Sequence, residues 1–353
     1  MTTINVKLSQ SYDIIIAPGA FELIGGRICA LLPGVRTAAI VTDSNVGELY
    51  LRVVRESLSK AGLSSVVYCI APGESSKCAS EYIALLNFLA DSHFTKSDAI
   101  IALGGGVVGD LAGFAAATYL RGVPFIQVPT SLLAMVDSSV GGKTAIDLEA
   151  GKNLVGAFYQ PILVICDTNA LRTLPRKFYN DGMAEVIKYG MLGSTEFLNQ
   201  VLQMHEDGAY EPLIATCIRM KRDIVENDEF DKGERKLLNF GHTIGHAIEK
   251  ISDYKIPHGE AVAIGMAIMT RASCKQKLCP PECLDVLLNL LSHFNLPTNT
   301  GYSASAIYEA ALRDKKRDGE FITIIVPTVI GKCELREIPV ESLLNWIEMG
   351  LNP

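Results

Sequence analysis

A buried strand that runs directly into a glycine-rich turn constrains this chain more than any other feature. The apolar run IIAL, residues 100–103, leads into GGGVVGD, residues 104–110. This order satisfies the G-x-G-x-x-G spacing, in which glycines let the backbone approach a pyrophosphate near helical N–H groups. The acidic residue expected about twenty positions later is missing, because that region reads Val128-Pro129-Thr130. The motif predicts either a variant dinucleotide site, with Asp43 of an earlier strand holding the ribose, or a tight strand-to-helix turn.

Short apolar strands alternate with helices through the first half of the chain. Strands are predicted at TINVKL, YDIIIA, TAAIV, SSVVYCI, DAIIAL and PFIQVP, and helices around Glu81–Leu89 and Gly109–Tyr119. Such alternation is typical of a mainly parallel sheet covered on both faces, which makes the chain an α/β protein. After LVICDTN, helical periodicity fills 180–205, 211–227, 234–251, 259–278 and 281–294. The late run GEFITIIVPTVIG is interpreted as a small hairpin or strand pair.

The composition excludes several classes of protein. Of 353 residues, 48% are hydrophobic and 20% charged, which is typical of a folded enzyme rather than a disordered chain. A net charge of −7 argues against nucleic-acid binding, so an anionic small substrate requires a local cluster of Lys and Arg. The nine cysteines, including the group Cys274, Cys279 and Cys283, are expected to be free thiols in a reducing compartment. Neither a signal peptide nor a membrane span is predicted, so we expect a cytoplasmic enzyme.

Three of the six histidines lie within seventeen residues. His242 and His246 are four apart and share one helical face, and His258 opens the next apolar stretch. Imidazoles clustered in this way are typical of a zinc-class metal site. The alternative is a pair of hydrogen-bonded core histidines.

A carboxylate partner for these histidines lies in the apolar run MAEVIK. Glu185 and Lys188 share a helical face, a spacing that elsewhere indicates a surface ion pair. Two imidazole ligands need an anionic partner, however, and the neighbours of Glu185 are apolar. We therefore predict that Glu185, His242 and His258 hold a divalent metal with positions open for substrate oxygens, and that His246 faces the substrate. HTIGH lacks the glutamate of an H-E-x-x-H protease.

A second glycine-rich segment, DSSVGGKTAID, does not form a P-loop, because Asp137 stands where the Walker pattern requires glycine. Its polar groups, Asp137, Ser138, Ser139 and Lys143, suit a polyhydroxylated ligand. Basic residues recur inside the glycine-rich and apolar motifs, which indicates an anion pocket. They are Arg121, Lys143, Lys152, Lys188, Lys221, Arg235 and Lys315–Lys316.

Taken together, these segments closely resemble the 3-dehydroquinate synthases. The matching runs are PGESSK, DAIIALGGGVVGDLAGFAAATYLRG, VPTSLLAMVDSSVGGKTAID, GKNLVGAFYQP, GMAEVIKYG, LNFGHTIGHAIE, HGEAVAIGM and DKKRDGEF, in family order. The resemblance implies an N-terminal Rossmann-like, NAD-binding parallel-sheet domain over residues 1–165. It also implies a mainly α-helical, metal- and substrate-binding domain over 166–353, and assembly as a homodimer.

The resemblance also implies the reaction, a step of the shikimate pathway. In it, 3-deoxy-D-arabino-heptulosonate 7-phosphate becomes 3-dehydroquinate and phosphate. Bound NAD oxidises the C5 alcohol, phosphate is eliminated, the same cofactor returns the hydride, and the ring opens and recloses by an intramolecular aldol. Oxidation acidifies the adjacent C–H, and the substrate phosphate itself can accept that proton. The three metal ligands accept zinc and cobalt alike.

By the same resemblance, Lys188, Asp137, His246, Lys143 and Asn239 form the catalytic group, and Lys221 and Arg235 bind the substrate carboxylate. The phosphate is held by Lys143, Asn153, Asn239, His246 and one of Lys315 and Lys316, with Arg121 supplied by the partner subunit. The NAD site is lined by Asp43, Gly73, Glu74, Lys77, Gly105, Gly106, Val107, Gly109, Asp110, Thr130, Ser131, Lys143, Lys152 and Thr173. The departures from common family residues, at Lys177-Phe178, Asp231, Ser131 and Met135, do not touch the metal ligands.

Three alternatives remain open. A related sugar-phosphate cyclase, such as a 2-deoxy-scyllo-inosose or valiolone synthase, shares the metal and NAD motifs but acts on substrates without the carboxylate. Lys221 and Arg235 favour the dehydroquinate synthase over these cyclases. A metal-dependent polyol dehydrogenase differs because it releases NADH. A binding protein with a decayed site is disfavoured by the intact Glu185, Lys188 and histidines.

Overall fold

The computed structural model describes residues 1–204, 209–314 and 320–351. These residues divide into two compact units. The first comprises Met1–Pro175 with Ala209–Arg222, and the second comprises the remaining described residues from Arg176 onward. The division into an NAD-binding domain over 1–165 and a metal- and substrate-binding domain over 166–353 stays a prediction.

The first unit contains a seven-stranded sheet and a separate hairpin. Its strands are β1 (Thr2–Val6), β2 (Tyr12–Ala17), β3 (Thr37–Asp43), β4 (Ser64–Ile70), β5 (Ala99–Gly104), β6 (Phe125–Pro129), β7 (Lys143–Leu148), β8 (Gly151–Phe158) and β9 (Leu163–Asp167). The sheet order is β1-β2-β9-β6-β5-β3-β4, and β7 and β8 form a separate two-stranded sheet. Within the sheet, β1 and β2 are antiparallel and the other pairs are parallel. The predicted mainly parallel sheet is confirmed.

The middle strands of this sheet are covered on both faces, and their residues are mainly apolar. Every residue of β5, β6 and β9 is buried. Mainly apolar runs of this kind, interrupted in β6 by Gln127, are the pattern of parallel strands with two buried faces. Parallel pairing also brings the carboxyl ends of β3, β5, β6 and β9 to one edge of the sheet. Asp43, Gly105 and Thr130 therefore stand at the edge where ligands of such sheets bind.

The helices of the first unit are α1 (Ile24–Leu31), α2 (Ser44–Lys60), α3 (Ala79–Asp91) and α4 (Gly106–Thr118). The predicted helices around Glu81–Leu89 and Gly109–Tyr119 are confirmed as α3 and α4. Sequence reasoning did not find α2, although its start carries a clear signal. Asp43 is its N-cap and accepts hydrogen bonds from the N–H groups of Asn45 and Val46 at 2.9 and 3.0 Å.

The second unit is mainly helical. Its helices are α5 (Arg176–Gly193), α6 (Thr195–Leu202), α8 (His242–Ile251), α9 (His258–Lys275), α10 (Glu282–His293), α11 (Ala304–Asp314) and α12 (Ser342–Leu351). A hairpin is formed by β10 (Phe321–Val329) and β11 (Lys332–Pro339). The helix α7 (Tyr210–Asn227) contributes residues to both units. Among the residues described, no helix is both long and apolar enough to cross a membrane.

Two of the predicted helical runs are interrupted in the structure. The run 180–205 breaks because the Ser194 hydroxyl caps a new helix, accepting from the N–H of Phe197 at 3.2 Å. The run 234–251 breaks because Gly241 has a φ of 80°, which a continuous helix cannot contain. A 3-10 helix over Glu234–Asn239 precedes that glycine, and α8 begins directly after it at His242.

Candidate active site

The three predicted metal ligands stand on three different helices of the second unit. Glu185 lies in the middle of α5, whereas His242 and His258 are the first residues of α8 and α9. Gly259 lets the start of α9 lie directly against α5, since a Cβ at this position would be 2.1 Å from the carbonyl oxygen of Asp181. The N–H of Gly259 also donates to the Asp181 carboxylate. These backbone contacts bring His258 next to Glu185.

The ligand atoms of these three residues converge. The Nε2 atoms of His242 and His258 lie 3.5 and 3.4 Å from the same Glu185 oxygen, Oε1. One ligand atom from each of the three residues lies within 4.8 Å of the other two. Ligands bound at about 2.1 Å around a tetrahedral zinc ion are separated by about 3.4 Å. Both separations therefore match the edges of a zinc-class coordination tetrahedron.

Hydrogen bonds at the other ring nitrogens orient both imidazoles for coordination. The Nδ1 atom of His242 lies 3.1 Å from the carbonyl oxygen of Phe240, and that of His258 lies 3.1 Å from Oε2 of Glu249. A carbonyl or ionised carboxylate oxygen can only accept, so each Nδ1 carries a proton and, in the neutral ring, each Nε2 is the nitrogen available to a metal. Such partners beyond the ligands are what orients histidines at metal sites. The donor set thus fits a divalent metal.

The electrostatics of the cluster also favour a bound cation. Burial lowers the pKa of His242 to about 3, against the attraction of Glu185. Burial also lowers the pKa of His258, but hydrogen bonds to Glu185 and Glu249 outweigh it and raise that pKa to about 10. The two buried carboxylates therefore draw positive charge to His258, whereas His242 stays neutral. A divalent cation bound between the three ligands would supply positive charge in the same place.

Lys188 and His246 lie beside these ligands. The Lys188 ammonium pairs with Oε2 of Glu185, so the two carboxylate oxygens have separate roles. Both residues of this pair are buried, which excludes the surface ion pair of the alternative interpretation. His246 is exposed, and its ring centroid lies 5.3 Å from that of His242. His246, Glu249 and His258 also form a group compact enough for an ion. This second group is the weaker candidate for a metal site, because the Glu249 carboxylate already accepts the Nδ1 proton of His258.

Several predicted cofactor residues converge on the Lys77 ammonium in the first unit. Lys77 Nζ lies 2.7 Å from Oδ1 of Asn153, 2.9 Å from Glu74, 3.2 Å from Asp110 and 3.7 Å from Asp147. Burial lowers the pKa of Lys77, but the carboxylates of Asp110 and Glu74 raise it above its ordinary value. Lys77 therefore remains a cation at the centre of this network.

Asp147 belongs to the same network and was missed from the sequence. Its carboxylate accepts from the N–H of Asn153 at 2.8 Å, and its own N–H donates to the carbonyl of Lys77 at 2.8 Å. The first bond holds Asn153 at a φ of 56°, in the left-handed region that asparagine tolerates. The β7–β8 hairpin that carries both residues was also missed. Lys152 of the same hairpin lies 3.7 Å from Glu74.

The glycine-rich turn stands between β5 and α4, as predicted. Gly105 precedes the first residue of α4, and the N–H of Thr130 donates to the carbonyl of Gly104 at 3.0 Å. A Cβ at Gly105 would be 3.5 Å from the Ser131 hydroxyl, so this side chain borders the turn. Val107, Gly109 and Asp110 follow in the first turns of α4, and Gly73 has a φ of 110° ahead of Glu74. The Thr173 hydroxyl contacts that of Tyr50 on α2.

The predicted substrate residues divide between the two units. In the first unit, Lys221 donates to the backbone carbonyl of Asp137 at 2.7 Å and also pairs with its carboxylate. Arg121 and Lys143 are exposed there. In the second unit, Arg235 is buried and donates to the carbonyl of Glu229, and Asn239 ends the 3-10 helix before α8. Lys315 and Lys316 lie outside the described residues.

Comparison with known proteins identifies relatives over nearly the whole chain. The family model described as 3-dehydroquinate synthase N-terminal matches residues 67–181, and that described as 3-dehydroquinate synthase C-terminal matches residues 182–317. A 3-dehydroquinate synthase of Clostridium acetobutylicum is 42% identical over 356 aligned residues, covering 99% of this chain and 100% of the relative. That of Latilactobacillus sakei is 44% identical, covering 99% of each.

Solved structures share the fold. A crystal structure of 2-deoxy-scyllo-inosose synthase complexed with carbaglucose-6-phosphate, NAD+ and Co2+ superposes with a TM-score of 0.85. The two sequences are 25% identical, and the match covers 98% of this chain and 100% of the other. The α/β architecture assigned to this chain is therefore that of a known sugar-phosphate cyclase.

Proposed function

This chain belongs to the 3-dehydroquinate synthase family, and from that premise we propose how its own residues serve the reaction. The reaction converts 3-deoxy-D-arabino-heptulosonate 7-phosphate into 3-dehydroquinate and phosphate. One observation carries the proposal more than any other. Two imidazole Nε2 atoms face a single oxygen of Glu185 at the separations of a tetrahedral site. We assign Glu185, His242 and His258 as ligands of a divalent metal, either zinc or cobalt.

Each ligand is held ready by its surroundings. Phe240 and Glu249 keep the protons of the two histidines on Nδ1, which leaves both Nε2 atoms able to coordinate. When bound, the metal supplies a Lewis acid that polarises the substrate hydroxyl and the ketone derived from it. Lys188 holds the second oxygen of Glu185 and adds a buried positive charge beside these oxygens. That charge favours the deprotonated hydroxyl over the neutral one.

NAD belongs at the edge formed by the carboxyl ends of β3, β5 and β6. It supplies the hydride acceptor for the transient oxidation and the donor for the later reduction. The N–H groups at the start of α4 suit a pyrophosphate, because they have no partner within the helix. Asp43, at the end of β3, is assigned to the ribose. The Lys77 network places a cation together with Glu74 and Asp110 in the same unit.

The remaining assignments concern the substrate anions. Lys221 and Arg235 are assigned to the carboxylate, for which a guanidinium offers two parallel donors. Lys143, Asn153, Asn239, His246 and one of Lys315 and Lys316 are assigned to the phosphate. Asp137, already held by Lys221, is assigned to a reacting hydroxyl. We also propose that residues 1–165 form the NAD-binding domain and that residues 166–353 form the metal- and substrate-binding domain.

We further propose that the enzyme is a cytoplasmic homodimer and that the partner subunit's Arg121 completes the phosphate site. Leu120 and Arg121 both have positive φ values, 49° and 66°, and both are exposed. Two consecutive non-glycine residues in this region are costly, and such strain accumulates at functional positions.

Complementation tests the partner's role directly. R121A and H258A proteins are each expected to be inactive, and mixing them under conditions of subunit exchange is expected to restore activity. A hybrid dimer then contains one site with intact His258 and an intact arginine from the other subunit. If Arg121 acts within its own subunit, every site in the hybrid lacks one residue, and no activity returns.

The assay for the proposed function is phosphate release from the heptulosonate phosphate, with and without a chelator and added NAD. H258A is expected to lose activity with its fold retained, whereas H293A, at an exposed histidine ending α10, is expected to keep it. Normal turnover by H258A would overturn the metal assignment. Faster turnover of glucose 6-phosphate or sedoheptulose 7-phosphate would favour another cyclase, and accumulation of NADH would favour a polyol dehydrogenase.

A further inference from the structure

Three cysteines cluster where α9 ends and α10 begins, apart from the residues assigned to the reaction. Cys274 lies in the last turn of α9 and is half-buried, whereas Cys279 in the connecting loop is 6% exposed. Cys283, in the first turn of α10, is fully buried. The sulfur atoms of Cys274 and Cys279 are 3.2 Å apart. All three residues are free thiols in the structure.

The backbone holds the first two thiols together. Lys277 has a φ of 59°, which reverses the chain directly after α9. The N–H of Lys277 donates to the carbonyl of Cys274 at 2.9 Å, and that of Leu278 donates to the carbonyl of Ser273 at 2.9 Å. These bonds close the end of the helix in the manner of a C-terminal cap. The proximity of the two sulfur atoms is therefore a consequence of the turn.

We propose that Cys274 and Cys279 form an oxidisable dithiol that closes a disulfide across this turn. A disulfide requires sulfur atoms about 2.0 Å apart, so the observed pair needs an approach of only about 1 Å. Cys274 is the thiol that an oxidant can reach, because it is the more exposed of the two. The fully buried Cys283 has no comparable access to solvent.

Thiol–disulfide exchange with oxidised glutathione provides a balanced route. The Cys274 thiolate attacks one glutathione sulfur, the glutathione disulfide bond breaks, and one reduced glutathione leaves. Cys279 then gives its proton to water and attacks the Cys274 sulfur, which releases the second reduced glutathione. The protein loses two protons and two electrons, and glutathione disulfide gains them. Burial raises the pKa of the Cys279 thiol, which makes Cys279 the second rather than the first nucleophile.

The pair is remote from the assigned metal ligands. His258 and Cys274 are separated by sixteen residues of α9, a rise of about 24 Å at 1.5 Å per residue. Oxidation is therefore expected to leave phosphate release from the heptulosonate phosphate unchanged. Formation of this disulfide is detected as a covalent bond and does not depend on the proposed function.

Peptide mapping of the full chain tests this inference. The metal- and NAD-loaded protein is incubated with oxidised glutathione, unfolded, alkylated with N-ethylmaleimide and digested. The expected product links Cys274 to Cys279 and has lost two hydrogens. Cys69, an exposed thiol on β4, serves as the internal control and is expected to carry glutathione alone.

Two variants sharpen the result. C279S is expected to trap glutathione on Cys274, because the second thiol is gone, and C274S is expected to leave Cys279 reduced. The inference is overturned if wild-type protein acquires glutathione on Cys69 while Cys274 and Cys279 stay unlinked. A disulfide between Cys279 and Cys283 would equally overturn it. Neither decisive outcome relies on a variant that must fold.

Discussion

Replacing Glu249 by glutamine removes a buried negative charge next to the assigned metal ligands and keeps the shape of the side chain. Glu249 is 3% exposed, and its Oε2 accepts the Nδ1 proton of His258 at 3.1 Å. Loss of such a partner beyond the ligands costs about 10- to 100-fold in metal affinity. This range corresponds to about 1.4 to 2.8 kcal/mol of binding free energy. The amide oxygen of glutamine can still accept the Nδ1 proton of His258, so E249Q is expected to lose about 10-fold in metal affinity. E249A has no acceptor and is expected to lose about 100-fold.

The assay is competition for zinc between the folded protein and a chromophoric chelator of known affinity, at one pH and ionic strength. E282Q is the matched control, because Glu282 is an exposed glutamate in the first turn of α10. It is expected to bind zinc like the wild-type protein. If folded E249A holds zinc as tightly as E282Q does, then His258 is not a ligand positioned through Nδ1, and the reasoning behind the metal centre fails.

Two further substitutions separate cofactor binding from structural support in the first unit. D43N keeps the cap of α2, since asparagine caps as well as aspartate, but loses the charge assigned to the ribose. NAD affinity, measured by fluorescence titration, is expected to fall about tenfold for a lost charge-assisted hydrogen bond while the melting temperature is unchanged. If D43N binds NAD as tightly as the wild-type protein does, Asp43 serves only as the N-cap of α2. D147A removes the acceptor of the Asn153 N–H, so KM for the heptulosonate phosphate is expected to rise several-fold with zinc affinity unchanged. An unchanged KM would show that Asn153 does not depend on Asp147.

The architecture was largely predictable from local patterns. The strands β5, β6 and β9 appear in the sequence as mainly apolar runs, which is the pattern of buried parallel strands. The β7–β8 hairpin was not predictable in this way. Its second strand consists mostly of half-buried and exposed residues and includes two glycines, so no buried apolar run marks it in the sequence. The break between α5 and α6 was not predictable either, because the helical pattern of the sequence is continuous there and only the capping hydroxyl of Ser194 divides it.

The supporting residues of the site were harder to find than the ligands. Glu249 follows His242 by seven positions, so the helical period already placed both on one face of α8. What the sequence did not show is that His258 of the next helix meets that face. Asp147 is seventy residues from Lys77 along the chain, and only the folded hairpin brings them together. Such long-range pairs follow from tertiary packing rather than from motif spacing.

Gly259 controls how closely α9 packs against α5. With a Cβ at this position only 2.1 Å from the Asp181 carbonyl, even a methyl group would wedge α9 away from α5. His258 is the adjacent residue and would be displaced with the helix. The spacing of the three assigned metal ligands thus depends partly on the hydrogen atom that Gly259 has in place of a side chain. Transplanting only the three ligands into another protein would not reproduce that spacing.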